Sequence, residues 1–190
     1  MTTDGGIGIF GGTFDPPHLG HIAAAERCRD ALGLDRVLLV VANDPWQKSP
    51  GRPISPAATR VAMVAAAVEG RDRLELSTIE VERGGPSYSI ETVEELGVPD
   101  PWLLVGSDLS RTLDSWERAE ELRRRVRIAV LSRPGSRLEL PAHWRGVALE
   151  SDELDISSSG IRRRVREGRS LDDLVPAPVI RHIVAEGLYH

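Results

Sequence analysis

The segment Ile7–His21 reads IGIFGGTFDPPHLGH, and the organisation of the whole chain follows from it. Its first four residues form a short apolar run, which predicts a strand, and two glycines come soon after. From Leu19 to Leu32 the apolar residues fall broadly on one side of a helix, and Gly33 is a typical helix end. A strand that passes through a glycine turn into a helix brings backbone amides and the positive helix end to one point. That point favours the binding of an anion.

Short apolar runs and helical patterns alternate along the rest of the chain. After the strand at Ile7–Phe10, further strands are predicted at Val37–Ala42, Leu74–Ile79, Trp102–Val105, Val126–Leu131 and, as a short addition, Val147–Leu149. Helices are predicted from Ser55-Pro56 to Gly70 and at Ser89–Leu96, Ser115–Arg125, Ser158–Glu167 and Ala177–Glu186. Fully apolar strands that alternate with helices are typical of a parallel sheet covered on both faces. We therefore expect an α/β fold with a doubly wound parallel sheet in a single domain (1–190), with a small C-terminal helical part at about 157–190.

The composition limits the classes of protein to which the chain can belong. Of its 190 residues, 41% are hydrophobic and 28% are charged, which predicts an ordered globular protein. The formal net charge of −5 argues against non-specific nucleic-acid binding, because a phosphate backbone attracts a basic surface. No window has the apolar length of a membrane span and the N-terminus does not resemble a signal peptide, so we expect no membrane partner and a cytoplasmic location. The single cysteine, Cys28, fits a reducing compartment, and the sequence is compatible with a homo-oligomer.

The residues after the first strand are suited to a polyphosphate. Gly11 and Gly12 allow the main chain to approach a ligand without a side-chain clash. His18 and His21 are three positions apart, so at the start of a helix they share a face. The pattern is neither a dinucleotide fingerprint nor a phosphate loop that ends in Gly-Lys-Ser/Thr. The competing interpretations are a plain glycine turn with two surface histidines and a zinc site, for which further ligands are lacking.

A second element lies near the C-terminus, where residues 156–162 read ISSSGIR. Ser157, Ser158 and Ser159 offer hydroxyl groups at a helix start, and Arg162 adds a permanent planar charge. This pattern predicts a second phosphate-binding helix terminus. The competing interpretation is a serine cap followed by a solvated run of arginines.

Both motifs, in this order, resemble the nucleotidyltransferase superfamily, which has a (H/T)xGH element after the first strand and a late Ile-Ser-Ser/Thr-x-x-x-Arg element. Within that superfamily the sequence is most similar to the bacterial nicotinate-nucleotide adenylyltransferases, nearly from end to end. Further matches are Pro45–Lys48, Pro86–Ser89, Gly106–Asp108, Trp116, Ser132–Gly135 and Gly187–Tyr189.

The resemblance implies a Rossmann-like nucleotidyltransferase fold with a five-stranded parallel core and a reaction between ATP and a pyridine mononucleotide. ATP and nicotinate mononucleotide would give deamido-NAD and pyrophosphate, with Mg²⁺ carried by ATP and no metal ligand from the protein. Catalytic roles are implied for His18, His21, Lys48 and Arg162. ATP-binding roles are implied for Gly11, Gly12, Thr13, Phe14, Gly106, Asp108, Ser157, Ser158 and Arg162. Mononucleotide-binding roles are implied for Lys48, Tyr88, Ser89, Trp116 and Arg133.

The acceptor stays open at this point. Trp116 is a candidate platform for a pyridine ring, although it and Tyr88 are also compatible with ordinary packing. Glu117 stands next to Trp116, where family members often carry an aromatic or basic residue, and its carboxylate would repel the acid group of nicotinate. The alternatives are nicotinamide mononucleotide, a phosphopantetheine-type acceptor, and a catalytically silent nucleotide-binding protein.

Overall fold

Six parallel strands form one sheet in the order β3-β2-β1-β4-β5-β6. The computed structural model describes residues 5–45, 54–131, 140–150 and 156–190. The strands are β1 (Ile7–Gly12), β2 (Arg36–Val41), β3 (Leu74–Ser77), β4 (Trp102–Gly106), β5 (Arg127–Leu131) and β6 (Gly146–Leu149). The helices are α1 (Leu19–Leu32), α2 (Ala57–Val68), α3 (Ile79–Arg83), α4 (Ser89–Leu96), α5 (Ser107–Ser110), α6 (Ala119–Arg125), α7 (Ser158–Arg166) and α8 (Ala177–Ala185), with a 3₁₀ turn at Leu113–Ser115.

Both faces of the sheet are buried, which explains why the central strands are apolar throughout. In β2, Val37 and Leu39 belong to the core that also includes residues of α1, α2, α7 and α8. Leu38 and Val40, between and after them, belong to the opposite core, with residues of α4 and α6. Successive side chains of a strand point to opposite faces, so an apolar strand is needed wherever helices cover both faces. The predicted doubly wound parallel sheet is confirmed.

Two predicted element boundaries are wrong. The strand predicted to reach Ile79 ends at Ser77, and Ile79 instead begins the short helix α3. The helix predicted from Ser115 begins only at Ala119, because Arg118 adopts a left-handed conformation with φ 49°. Ion pairs of Arg118 with Glu94 (2.9 Å) and Glu121 (2.6 Å) hold the arginine side chain at this break.

The sheet extends the five-stranded core that the resemblance implied, and the short last strand predicted at Val147–Leu149 is confirmed. β6 is a sixth parallel strand, which pairs with β5 from Ile128↔Gly146 to Leu131↔Leu149. The sequence signal for it was weak, since the strand has only four residues. The helix α5, which follows β4 directly, was not predicted. None of the helices in the described ranges has the length and apolarity that a membrane crossing requires.

Gly8 lies at a tightly packed position of β1, and we expect Gly8→Ala to destabilise the protein. A Cβ atom there would lie 2.9 Å from Leu34, 3.1 Å from Val37 and 3.2 Å from Leu104. Overpacking of this kind costs about 1–3 kcal/mol, to be measured as the free energy of unfolding in urea. Gly6→Ala is the matched control, because the nearest atoms to its Cβ would be 3.6 Å away. Equal losses in the two variants would contradict the packing argument.

Candidate active site

The site lies at the carboxyl ends of β1 and β4, the two central neighbours of the sheet. The connections from β1 lead outward to β2 and β3, whereas those from β4 lead outward to β5 and β6. Such a topological switch point leaves a crevice between the loops after the two strands. Gly11 and Gly106 border it, and a Cβ atom at either position would have no atom within 4 Å. The main chain itself therefore forms part of the wall.

Two cavities of about 250 and 230 Å³ meet along this wall. Both are lined by Phe10, Gly11, Gly12, Thr13, Gly106 and Leu109. We call the smaller one the histidine lobe; its polar lining comprises Asp15, His18, His21, Asp108, Ser158 and Arg162. We call the larger one the tryptophan lobe; its lining includes Glu80, Tyr88, Ser89, Trp116 and Glu117.

The two histidines of the first motif lie against each other at the start of α1. Their ring centroids are 3.6 Å apart with an interplanar angle of 24°. The backbone N–H of His18 donates to Nδ1 of His21 at 3.2 Å, so a neutral His21 carries its proton on Nε2. The ring of Phe14 approaches His21 edge-on, with centroids 5.0 Å apart. The predicted shared face of the two histidines is thus present, and Nε2 of His21 is a hydrogen-bond donor.

Gly20 leaves the space that the ring of His18 occupies. A Cβ atom at Gly20 would lie 3.1 Å from Nδ1 and 3.2 Å from Cε1 of His18. His18 itself is buried, with 5% of its surface exposed. A side chain at position 20 would therefore require the ring of His18 to shift by a few tenths of an ångström.

The second motif, at α7, is joined directly to the first. The hydroxyl of Ser158 donates to the carbonyl oxygen of Pro16 at 3.0 Å, and Nη1 of Arg162 donates to the carbonyl oxygen of Asp15 at 2.6 Å. Ser157 caps α7, since its hydroxyl oxygen accepts the N–H of Gly160 at 3.2 Å. The structure thus brings Ser158 and Arg162 into the histidine lobe, whereas Ser157 is not part of its lining.

Arg60 on α2 is a buried residue that sequence reasoning missed, and it ties together the loop after β1 and the connection between β2 and α2. Only 1% of its surface is exposed. Its guanidinium donates to the carbonyl oxygens of Thr13 (3.1 Å), Ala42 (2.5 Å), Asn43 (3.1 Å) and Ser55 (2.9 Å). Burial lowers the pKa of Arg60 below its ordinary value, yet an arginine remains charged near neutral pH.

The signal for Arg60 was present in the sequence. Together with Met63, Val64 and Ala67 it forms the buried face of α2, at the i, i+3, i+4, i+7 spacing of an apolar stripe. A single charged residue within such a stripe indicates a buried charge that must find hydrogen-bond acceptors.

Asp15 and Tyr189 form a second contact that sequence reasoning missed. The carboxylate of Asp15, with 2% of the residue exposed, accepts the hydroxyl of Tyr189 at 2.6 Å. Burial and the neighbouring carboxylate raise the pKa of Tyr189. The phenol is therefore protonated and donates at neutral pH. The closing Gly187–Tyr189 segment was noted only as a match to the family.

The tryptophan lobe contains the residues predicted for the mononucleotide. Tyr88 precedes α4 and Ser89 begins it, so the helix N-terminus lies at this cavity. Trp116 is half-buried, and its indole N–H donates to Oγ1 of Thr112 at 3.1 Å. Glu117 is exposed at the edge of the same cavity.

Two hydrogen bonds anchor the turn that precedes Trp116. The carboxylate of Asp114 is 2.7 Å from Nε2 of His143 and accepts the indole N–H of Trp144 at 2.8 Å. These hydrogen bonds lower the pKa of Asp114. The side chains of Leu113 and Trp144 belong to the same buried hydrophobic cluster, and this packing also stabilises the turn.

Two predicted site residues, Lys48 and Arg133, lie outside the described residues, as does most of the predicted loops Asp44–Ile54 and Arg133–Trp144. Pro45, at the start of the first of these loops, lines the tryptophan lobe. Within residues 5–45, 54–131, 140–150 and 156–190, no group of three or more histidine, cysteine, aspartate or glutamate side chains is arranged to hold a metal ion.

A parallel sheet with an anion-suited crevice at its switch point is typical of nucleotide-binding proteins, and comparison with known proteins identifies the family. The model of the cytidylyltransferase-like family matches residues 9–164. Probable nicotinate-nucleotide adenylyltransferases from Roseiflexus sp. and Thermus thermophilus are each 40% identical to the chain; the matches cover 96% of it and 97% and 98% of those proteins. The chain belongs to the nicotinate-nucleotide adenylyltransferase family.

The fold agrees with solved structures. The nicotinic acid mononucleotide adenylyltransferase of Plasmodium falciparum, solved in complex with NaAD, superposes with a TM-score of 0.78. The match covers 97% of each chain at 19% sequence identity, so it supports the architecture alone.

We expect Gly20→Ala to separate the stacked histidine rings. The chain has five histidines, so their imidazole proton resonances can be followed individually by NMR. Stacked rings shield each other, and the signals of His18 and His21 should move downfield when a methyl group displaces one ring. Ala31→Gly, at an exposed position of α1, should weaken the helix by roughly 1 kcal/mol without moving these signals. Unchanged signals in Gly20→Ala would contradict the steric role of Gly20.

Proposed function

We propose that the protein transfers the adenylyl group of ATP to nicotinate mononucleotide, with deamido-NAD and pyrophosphate as products. The observation that carries the proposal is the meeting of the two lobes at Gly11, Gly12 and Gly106, one suited to phosphates and the other to an aromatic ring. Two substrates bound in these lobes would meet beside the main chain of these glycines, which leaves room for an in-line approach. The names of the curated relatives support the same reaction.

The reaction needs alignment more than it needs a protein base. A phosphate oxygen of the mononucleotide attacks the α-phosphorus of ATP, and the bond from that phosphorus to the bridging oxygen of the β-phosphate breaks. Pyrophosphate leaves with the electron pair of that bond. The second pKa of a phosphate monoester is about 6, so the attacking group is mostly dianionic at neutral pH. What the protein must supply is positioning and neutralisation of the charge on the leaving group.

In this proposal the histidine lobe binds ATP. The start of α1, Nε2 of His21 and the guanidinium of Arg162 present donors and positive charge to the phosphates, and His18 supports His21 by stacking. Gly11, Gly12, Thr13 and Phe14 form the wall, Gly106 and Asp108 border the sugar, and Ser157 and Ser158 hold the start of α7. Lys48 is proposed to assist charge neutralisation.

Mg²⁺ belongs to this proposal as a companion of ATP. The histidine lobe carries two carboxylates, Asp15 and Asp108, and Asp15 is engaged by Tyr189. Such a small number of carboxylates would not by itself complete the coordination of a cation. It suits a cation that is bound mainly by phosphate oxygens and water molecules, as Mg²⁺ commonly is. The ion would supply charge neutralisation on the triphosphate.

The tryptophan lobe is proposed to bind the mononucleotide. Trp116 offers a flat aromatic face to the pyridine ring. The backbone amides at the start of α4, beside Tyr88 and Ser89, favour a carboxylate, which nicotinate has and nicotinamide lacks. Arg133 is proposed to contribute a positive charge for the phosphate of the mononucleotide.

One observation favours a second acceptor, nicotinamide mononucleotide. Two carboxylates, Glu80 and Glu117, line the tryptophan lobe. The carboxylate of Glu80 is buried and accepts the hydroxyl of Thr92 at 2.5 Å. Both negative charges oppose a nicotinate and do not oppose the neutral amide.

We expect pyrophosphate release from ATP and Mg²⁺ with nicotinate mononucleotide, at higher kcat/KM than with nicotinamide mononucleotide and far above phosphopantetheine. His21→Ala, which removes a donor from the phosphates, should lower kcat by about 100-fold, within the range found when one donor to a developing charge is removed. A preference for the amide would replace the acceptor in the proposal. No release with any of the three would leave a nucleotide-binding protein without this activity.

Glu117→Gln should improve the use of nicotinate mononucleotide, because it removes an exposed negative charge from the edge of the tryptophan lobe. Exposed charge pairs are worth roughly 0.2–1 kcal/mol, so KM should fall by up to about fivefold. KM for nicotinamide mononucleotide should stay the same. Glu120→Gln, an exposed change on α6 outside the lobe, is the matched control in steady-state assays. Equal effects on the KM of both acceptors would show that Glu117 does not discriminate against the carboxylate of nicotinate.

A further inference from the structure

Asp15 lies between the two glycines and the two histidines, and it is held from three separate segments. Oδ1 accepts the hydroxyl of Tyr189, and Oδ2 accepts the backbone N–H of Ser55 at 3.4 Å. Its carbonyl oxygen accepts Nη1 of Arg162. A carboxylate with only 2% of the residue exposed is costly unless it is hydrogen-bonded, so the position of Asp15 depends on these donors.

Tyr189 reaches Asp15 from a defined turn after α8. Gly187 (φ 59°) and Tyr189 (φ 69°) are both left-handed, and the backbone N–H of Leu188 donates to the carbonyl oxygen of Ile183 at 2.9 Å. The partly buried ring packs against the core, and its hydroxyl oxygen lies 3.9 Å from Sδ of Met63. Since its pKa is raised, the hydroxyl keeps its proton and donates at all pH values near neutrality.

Arg60 holds the same loop at a second residue. It donates to the carbonyl oxygen of Thr13, two residues before Asp15. The loop from Thr13 to Pro17 is therefore fixed at its start by Arg60 and at its centre by Tyr189. The loop leads directly into His18. The carbonyl oxygen of Asp15 in this loop accepts a hydrogen bond from the guanidinium of Arg162 and so positions that group.

We propose that the Tyr189 hydroxyl is a positioning group for the histidine lobe, which through Asp15 sets the geometry of His18, His21 and Arg162 toward a nucleoside triphosphate. The inference rests on the proposed function in one respect, the assignment of ATP to this lobe. Tyr189 does not touch the substrate in this arrangement, and none of its hydrogen bonds to the described residues reaches the lining of the tryptophan lobe. Its loss should therefore affect ATP and spare the mononucleotide.

The test is Tyr189→Phe, which removes one oxygen and keeps the packed ring. We expect ATP, titrated in the presence of Mg²⁺ and without an acceptor, to bind roughly tenfold more weakly, as the loss of a hydrogen bond to a charged group predicts. KM for ATP should rise and kcat should fall, whereas KM for nicotinate mononucleotide should stay within twofold, about the error of such comparisons.

Ile183→Val is the matched control. It weakens the same core at α8 by about 0.5–1.5 kcal/mol and has no contact with Asp15 among the hydrogen bonds of the described residues. Ile183→Val should lower the melting temperature without changing ATP binding. If it weakens ATP binding as much as Tyr189→Phe does, Tyr189 acts through stability alone and the inference is overturned.

Asp15→Asn provides a second variant, which retains an acceptor for Tyr189 and removes the charge. It should weaken ATP binding less than Tyr189→Phe, and the effects of the two substitutions should be non-additive when combined, since the groups are in contact. Additive effects would overturn the inference.

The outcomes for the wild type separate this inference from the proposed function. If the wild type does not use any of the mononucleotides, the proposed function fails, and the ATP titrations still decide the role of Tyr189. If the wild type is active and Tyr189→Phe binds ATP as tightly as the wild type, the inference fails and the proposed function stands.

Discussion

A buried guanidinium holds the candidate active site together. The loops after β1 and β2 carry carbonyl groups that lie outside the strands and helices. The Arg60 side chain donates hydrogen bonds to four of them. An unpaired carbonyl in the interior costs about as much as a lost hydrogen bond. Without Arg60 the two loops would have to open toward water. The crevice at the switch point depends on their staying closed, and so does the helix start that follows the first loop.

Much of the fold could be predicted because its signals are local. The apolar residues 37–41 of β2 indicate a buried strand, and the glycine-to-histidine segment indicates a strand–helix turn, each within a few residues. The break before α6 could not be predicted in this way, since Trp116–Arg118 contains neither glycine nor proline. Arg118 is left-handed at this break and forms an ion pair with Glu94, which lies 24 residues away. A contact over that distance has no signal in the local pattern.

In the candidate site, too, local features could be predicted and long-range contacts could not. The two motifs were visible, and the structure places His18, His21, Ser158 and Arg162 around one cavity. The hydrogen bond between Tyr189 and Asp15 joins residues that are 174 positions apart, and no local sequence pattern predicts it. The role of Gly20 could not be predicted for another reason. A glycine within a helix is normally destabilising, and only the structure shows that the ring of His18 lies in the space beside it.

The two lobes share only a narrow strip of main chain and the side chains of Phe10, Thr13 and Leu109. Phe10 belongs to this strip and its ring lies 6.1 Å from that of His21, so a substitution there would reach the histidines. A substitution elsewhere in the tryptophan lobe leaves the contacts of the stacked histidines in place. The shape of one half of the crevice can thus be altered while the geometry of the other half is retained.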